Sequence, residues 1–224
     1  GGRNERCLYR CCQSAEAVER HLSSGSPHCP AVLGRVLPEV RDARCMATVQ
    51  KYVSTMSGDG LLKPAEATPI AAYLLPLLSQ AGDNSLAGES RAEAGQFLSK
   101  HLLGRSAEEF VEVTQPDAAV CQRRRSLWVE AAGVVRSNAH IAGIKTLAMQ
   151  FPEIGQKALT ALLEIGSPAA IVAVEAIAED YLQSSIPMYK NPLLAFIKAP
   201  AGQSICDEKM RLCETLLGKT VDAG

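Results

Sequence analysis

The sequence predicts an all-α protein, and three observations support that fold class. Aromatic residues make up only 4 % of the chain, whereas strands draw heavily on aromatic and β-branched residues. Apolar residues recur at helical spacing, within a globular composition of 47 % hydrophobic and 21 % charged residues. A two-helix pattern also occurs twice between residues 126 and 182. Together these features predict an irregular helical bundle or a stack of helical hairpins.

The N-terminal pattern predicts helices separated by breaks rich in Gly, Ser and Pro. Pro64 and Pro69 precede an apolar stretch, and Pro76 lies within it, where a proline removes one backbone donor. We therefore expect that helix to begin near Ile70 and to be kinked or shortened at Pro76. The helices predicted in the N-terminal region cover residues 6–22, 30–37, 40–56 and 70–78. The second of them is short.

A polar, glycine-containing segment over residues 81–90 is the preferred boundary within the chain. It predicts an N-terminal helical region over residues 1–80 and a second helical region over residues 91–224. One continuous domain is the alternative. The second region is expected to open with an amphipathic helix over residues 90–103.

The next pattern is repeated, with an offset of 30 positions between its two copies. Ser137 lies opposite Ser167, and Ile141 lies opposite Ile171. Each serine is placed to cap a helix N-terminus, and Pro168 follows the second where its missing N–H costs nothing. Each copy therefore predicts a helix, a short turn and a second helix. The second helices share an apolar stripe at residues 141, 144, 147 and 148 and at residues 171, 174, 177 and 178.

The second copy resembles the short HEAT-like helical repeat. Residues 161–177 combine an apolar helix, a turn centred on Gly166 with a serine and a proline, and a helix rich in Ala and Ile. The resemblance covers about a quarter of the chain. It implies helical hairpins that stack and present a binding surface more often than a catalytic site. Chance alignment of two Ala-rich hairpins in an irregular bundle is the alternative.

Short segments flank the repeated pattern. Before it, Ser106 and Glu109 have the spacing of a capping box, which predicts a helix start. The β-branched residues Val111, Val113 and Thr114 also fit a short strand. After the repeat we expect breaks at residues 184–187 and 191–192, a short helix over 193–198 and an amphipathic helix over 204–217.

Charge and hydropathy argue against several classes of partner. The net charge is −1, and the arginines at 123–125 are too few to form the basic face expected of a nucleic-acid-binding protein. No run of about 20 apolar residues is present, so no membrane span is expected. The first residues are charged and lack the apolar region of a signal peptide. We expect a cytoplasmic protein, or one in the host cytoplasm if it is a secreted effector.

The chain has eight cysteines, which we expect to be reduced thiols because a chain of this size needs no disulfide staples. A zinc site is the alternative, since Cys7, Cys11, His28 and Cys29 gather metal-binding groups near the N-terminus. Tetrahedral zinc requires four converging ligands, and the usual Cys-x-x-Cys pair is missing. Ordinary cysteines are therefore favoured, and no cofactor is expected.

No catalytic motif ties a cysteine to a base. His101 and His140 are the histidines outside the N-terminal cluster, and neither belongs to a local Cys/His signature. Bacterial effector ubiquitin ligases of the novel class resemble this chain in being helical, but they carry a Cys-x-Asp motif. No cysteine here has Asp two positions on; Cys206 is followed directly by Asp207. Phosphate-cradling Gly-x-x-x-x-Gly-Lys is also missing from the sequence.

The remaining candidate is a partner-binding group at Arg123, Arg124, Arg125 and Trp128, because Trp and Arg are enriched in binding hot spots. Core packing of Trp128 beside solvated arginines is the favoured alternative. We expect a helical scaffold or adaptor that binds another protein and has no active site. One alternative is an effector-type domain that recruits a ubiquitin-conjugating enzyme through surface contacts, which needs no Cys-x-Asp motif. Another is a small zinc-dependent protein.

Overall fold

The computed structural model describes residues 62, 64–79, 88–105, 107, 118–199, 207 and 209–215. Within these ranges every regular element is a helix and no residue forms a strand, which confirms the predicted all-α fold. The chain divides into two compact units, Gly1–Gly104 and Arg105–Gly224. The helices predicted before residue 62 lie outside the described residues, as does most of the predicted linker-like segment 81–90. The capping box at residues 106–109 lies there too, except for Ala107.

In the first unit, helix α1 (Pro64–Ser79) packs against helix α2 (Gly88–His101). The predicted start of α1 near Ile70 is wrong, because the helix begins at Pro64 and continues through the two later prolines. A proline at the first helical position costs no hydrogen bond, and each later one removes a single backbone donor. That loss is offset by the side chains that α1 buries, among them Ala67, Ile70, Ala71, Tyr73 and Leu74.

The end of α2 is tied to the chain before α1 by His101, which is only 4 % exposed. The backbone N–H of Leu62 donates a hydrogen bond to Nδ1 of His101 at 3.1 Å. The imidazole also lies against the Phe97 ring, with 4.8 Å between the ring centroids. One nitrogen of this candidate base is therefore an acceptor within the fold of the first unit.

Within the described residues between 118 and 199, the second unit contains five α-helices and two short 3₁₀ turns. Residues 209–215 are also helical, within the helix predicted over 204–217. In chain order the elements are α3 (Ala118–Val135), η1 (Asn138–His140), α4 (Ile141–Gln150), η2 (Pro152–Ile154), α5 (Gly155–Ile165), α6 (Pro168–Gln183) and α7 (Pro187–Lys198).

The two predicted hairpins, α3–α4 and α5–α6, have matching turns. Gly166 ends α5 with a left-handed φ of 65°, and Arg136, 30 positions earlier, ends α3 with a φ of 56°. The backbone N–H of Gly166 donates to the carbonyl of Leu162, as that of Arg136 donates to the equivalent carbonyl of Ala132. The 30-residue register therefore extends to the backbone conformation of the turn.

Both predicted N-caps are confirmed. Ser167 Oγ accepts a hydrogen bond from the backbone N–H of Ala170 at 3.2 Å, which caps α6 directly. Ser137 Oγ accepts from the N–H of Ala139 at 3.3 Å. Its bond starts η1 rather than α4, so the second helix of the first hairpin begins one 3₁₀ turn later.

Helix α5 lies between α3 and α7. On the α3 side, a Cβ built on Gly133 would lie 2.9 Å from the Cα of Ala161, so the missing side chain lets the two backbones approach closely. On the α7 side, a Cβ built on Gly155 would lie 3.0 Å from the Cβ of Pro192. Helices α4 and α6 contact each other and α5. The buried α5 residues are Gly155, Ala158, Leu159, Ala161, Leu162 and Leu163.

Helix α7 is longer than the sequence predicts. The expected break before a helix over 193–198 is wrong, because α7 begins at Pro187 and continues through Pro192 to Lys198. Pro187 occupies the first turn, and Pro192 packs where Gly155 leaves room. At the C-terminal end, Nζ of the buried Lys209 donates to the carbonyl of Ala199 and lies 4.8 Å from the centroid of the Phe196 ring.

Candidate protein-binding surface

The three consecutive arginines of α3 differ in environment because successive helical residues point about 100° apart. Arg123 is exposed, whereas Arg124 and Arg125 are half-buried. The guanidinium carbon of Arg125 lies 3.5 Å from the centroid of the Phe151 ring. Its Nη1 also donates to Oε1 of Glu153 at 3.2 Å. Arg125 therefore helps to hold α3 against η2, and Arg123 is the most accessible of the three.

Trp128 lies one helical turn after these arginines but is only 3 % exposed. Its ring meets the His140 ring edge to face, with 5.9 Å between the centroids. A Cβ built on Gly143 would lie 2.7 Å from Cη2 of the indole, so α4 covers this ring closely. The indole Nε1 is buried without a hydrogen-bond partner. The structure thus places Trp128 in the core of the second unit, as the favoured alternative predicts.

A group of charged residues lies along the contact between α3 and α5. Lys157 of α5 and Glu130 of α3 form an ion pair. A Cβ built on Gly133 would lie 2.7 Å from Oε2 of Glu164, so this carboxylate lies directly over the α3 backbone. Burial raises the pKa of Glu164 above 4.5, while Arg136 opposes the rise and Glu130 adds to it. The ion pair and the Glu164 carboxylate therefore affect the stability of the contact between α3 and α5.

Several large apolar side chains are exposed among the described residues. One of them, Val172, lies on α6, where it is 65 % exposed. The others follow α6 in the chain, at Ile186, Met188 and Leu194 and, in the last described helix, at Met210. The sequence prediction missed the exposure along α7 because it placed a break at Pro192. The spacing of Lys190, Leu194 and Lys198, one helical turn apart, is the signal that identifies this surface once the helix is taken through the proline.

No protein-family model, curated protein or solved structure matches the chain. The residues themselves therefore have to support any functional argument. Among the described helices, none is long and apolar enough to cross a membrane.

The predicted zinc ligands Cys7, Cys11, His28 and Cys29 lie outside the described residues, so the zinc site stays a prediction. Within the described ranges, no three His, Cys, Asp or Glu side chains come together in a way that could hold a metal. Neither Cys121 nor Cys213 takes part in a disulfide. Burial raises the pKa of the Cys213 thiol, and Lys209 opposes this shift. A raised pKa disfavours the thiolate that a nucleophilic cysteine requires.

Proposed function

We propose that this chain is a protein-binding scaffold whose second unit is built from HEAT-like hairpins. The observation that supports this most strongly is the equivalence of the turns at Arg136 and Gly166, which have the same left-handed conformation 30 positions apart. The two capping serines, Ser137 and Ser167, follow these turns directly and are also 30 positions apart. A left-handed residue after a helix is common, but its recurrence in the same register as a capping serine is expected of a repeated unit.

Stacked hairpins favour binding by surface complementarity. Each hairpin buries one face against its neighbours and leaves the other faces available over an extended surface. On α3 the exposed Arg123 and the half-buried Arg124 supply positive charge beside a rigid helix. Exposed charges at the rim of an interface increase association rates and select partners of opposite charge. Arg125 is already paired with Glu153 and contributes to the scaffold.

Affinity capture with the full chain as bait, followed by quantitative mass spectrometry, tests this function. We expect a small set of proteins to be enriched over heat-denatured bait. If the α3 arginines take part, the double substitution Arg123→Glu, Arg124→Glu depletes at least one of these proteins. Lys145→Glu, at an exposed position of α4, is the control for charge reversal outside α3 and leaves the same proteins bound.

Two outcomes separate the parts of this proposal. If native and denatured bait recover the same proteins at the same level, the scaffold function is contradicted. If specific proteins are enriched but both charge-reversal variants retain them, the scaffold function stands and the arginine surface is excluded as the binding site.

A further inference from the structure

Helix α7 presents a row of three side chains along one line of its surface. Lys190, Leu194 and Lys198 are spaced four residues apart, so each lies about one turn beyond the last. Both lysines are exposed, and Leu194 is 50 % exposed. Ile186, one turn before Lys190, adds exposed apolar surface at the N-terminal end of the helix. We call these four residues the α7 face.

The row lies on the side of α7 that faces away from α5. Pro192 marks the side toward α5, because its Cβ lies next to Gly155. Leu194 and Lys190 are each two residues from Pro192, which places them about 160° away around the helix axis. Among the described elements, the main contacts of α7 are with α5, α6 and η2. Helix α5 has a neighbour on each side, whereas α7 leaves its outer side exposed.

The charge of this surface indicates its occupant. Every charged residue of α7 is a lysine, and neither Lys190 nor Lys198 pairs with an acidic group among the described residues. We propose, as an extension of the scaffold function, that the α7 face binds an acidic amphipathic helix of a partner protein. The apolar stripe of that helix covers Leu194 and Ile186, and its carboxylates lie beside the two lysines.

Other occupants fit this surface less well. A second copy that paired α7 with α7 about a two-fold axis would bring lysines against lysines, which is unfavourable. An anionic membrane would attract the two lysines. The exposed part of α7 has no aromatic side chain, and its other side is packed against α5, so little apolar surface is left to insert.

The test uses the full chain and a fluorescently labelled synthetic helix of about 16 residues, with leucines in one stripe and glutamates on both flanks. Fluorescence anisotropy measures its binding. We expect saturable binding that Leu194→Ala weakens by about tenfold, corresponding to loss of a central apolar contact. Val172→Ala removes an equally apolar, exposed residue from α6 and is the matched control, expected to leave the affinity unchanged.

Charge exchange tests the second part of the recognition. The double substitution Lys190→Glu, Lys198→Glu is expected to abolish binding of the acidic peptide and to create binding of the same peptide with lysine flanks. Circular dichroism and the emission of Trp128, the single tryptophan, check that each variant is folded.

The inference would be overturned if the native chain bound acidic and basic peptides equally, or if the α7 substitutions left the affinity for the acidic peptide unchanged. It would also be overturned if no peptide bound, whether or not the chain bound phosphatidylserine vesicles. Self-association that is lost on Leu194→Ala, without peptide binding, would instead identify a second copy as the occupant. In each case, the scaffold function would still hold if the native bait captured partners and the Leu194→Ala bait retained them. If native and denatured bait capture the same proteins, the scaffold function fails independently of the peptide result.

Discussion

At the scale of single residues, the left-handed turn at Gly166 is a position where the backbone conformation favours glycine, although the equivalent turn accommodates Arg136. Its φ of 65° is open to glycine at little cost, whereas a side chain with a Cβ adds about 1 kcal/mol of strain. Gly166→Ala is therefore expected to lower the free energy of unfolding by about that amount, measured by urea denaturation with Trp128 emission as the signal. Gly166→Asn, which tolerates this conformation, is the control and loses less. Equal stability of both variants with the native chain would contradict the assigned turn.

Tyr181 satisfies a carbonyl that the helix itself cannot. The carbonyl of Ala148 would normally accept from the residue four positions on, but that residue is Pro152, which has no N–H. The buried hydroxyl of Tyr181 donates to it instead at 2.7 Å. Tyr181→Phe leaves this carbonyl unsatisfied and is expected to lower the free energy of unfolding by about 1–3 kcal/mol in urea denaturation.

The same residue predicts a dependence on alkaline pH. Burial, with smaller effects from Tyr189, Asp180 and Glu153, raises the pKa of Tyr181 well above its ordinary value of 10.0. The folded state therefore favours the neutral phenol, and this stabilisation is complete below pH 10 and declines as the pH rises further. The stability difference between the native chain and Tyr181→Phe should shrink above pH 10. A difference that stays constant to pH 11 would contradict burial of the hydroxyl.

Replacing Glu164 is expected to have the opposite effect on stability at neutral pH. Because its pKa is raised from 4.5, folding favours the protonated carboxyl, and this contribution is present below pH 4.5 and lost as the pH rises through the folded-state pKa. Glu164→Gln is expected to be more stable than the native chain at pH 7, with the gain vanishing below pH 4, by denaturant titration at each pH. Glu175→Gln is the control for removing one negative charge. A loss of stability at pH 7 would show that Arg136 outweighs burial.

At the scale of elements, the close approach of α3 and α5 depends on Gly133. Alanine favours helix by about 1 kcal/mol over glycine, yet its Cβ would meet the backbone of Ala161 at 2.9 Å. Gly133→Ala is therefore expected to be destabilising by about 1–3 kcal/mol, as in other overpacked cores. Gly95→Ala in α2 has nothing within 4 Å of the added Cβ and should be neutral or stabilising. Thermal unfolding by circular dichroism distinguishes the two, and a more stable Gly133→Ala would contradict the α3–α5 packing.

Local signals in the sequence predict the hairpins well and the proline-containing helices poorly. A serine before an apolar stripe locates the N-caps at Ser137 and Ser167, because the cap is a local interaction. The left-handed turn at Arg136 has no such signal in its residue type and is found only by its position opposite Gly166. The sequence predicts a helix stop at Pro192, but tertiary packing against Gly155 outweighs its one lost hydrogen bond.

At the scale of the whole molecule, the predicted binding group at Arg123–Arg125 and Trp128 shows that residue type alone does not distinguish a binding site from a packed side chain. Trp and Arg are frequent in interfaces, and they are also useful within a fold. Whether Trp128 is buried depends on α4 lying over it, and Arg125 is engaged because η2 brings Phe151 and Glu153 alongside. These contacts are long-range, so no local pattern predicts them.

Hydrogen–deuterium exchange of the full chain, measured by mass spectrometry with and without the acidic helical peptide, tests the central claim most directly. Helix α5, packed on both sides, should be the most protected element of the second unit in both states, and α7 should become protected only with the peptide. Fast exchange of α5, or an unchanged α7 at saturating peptide, would contradict a stacked scaffold that binds its partner through α7.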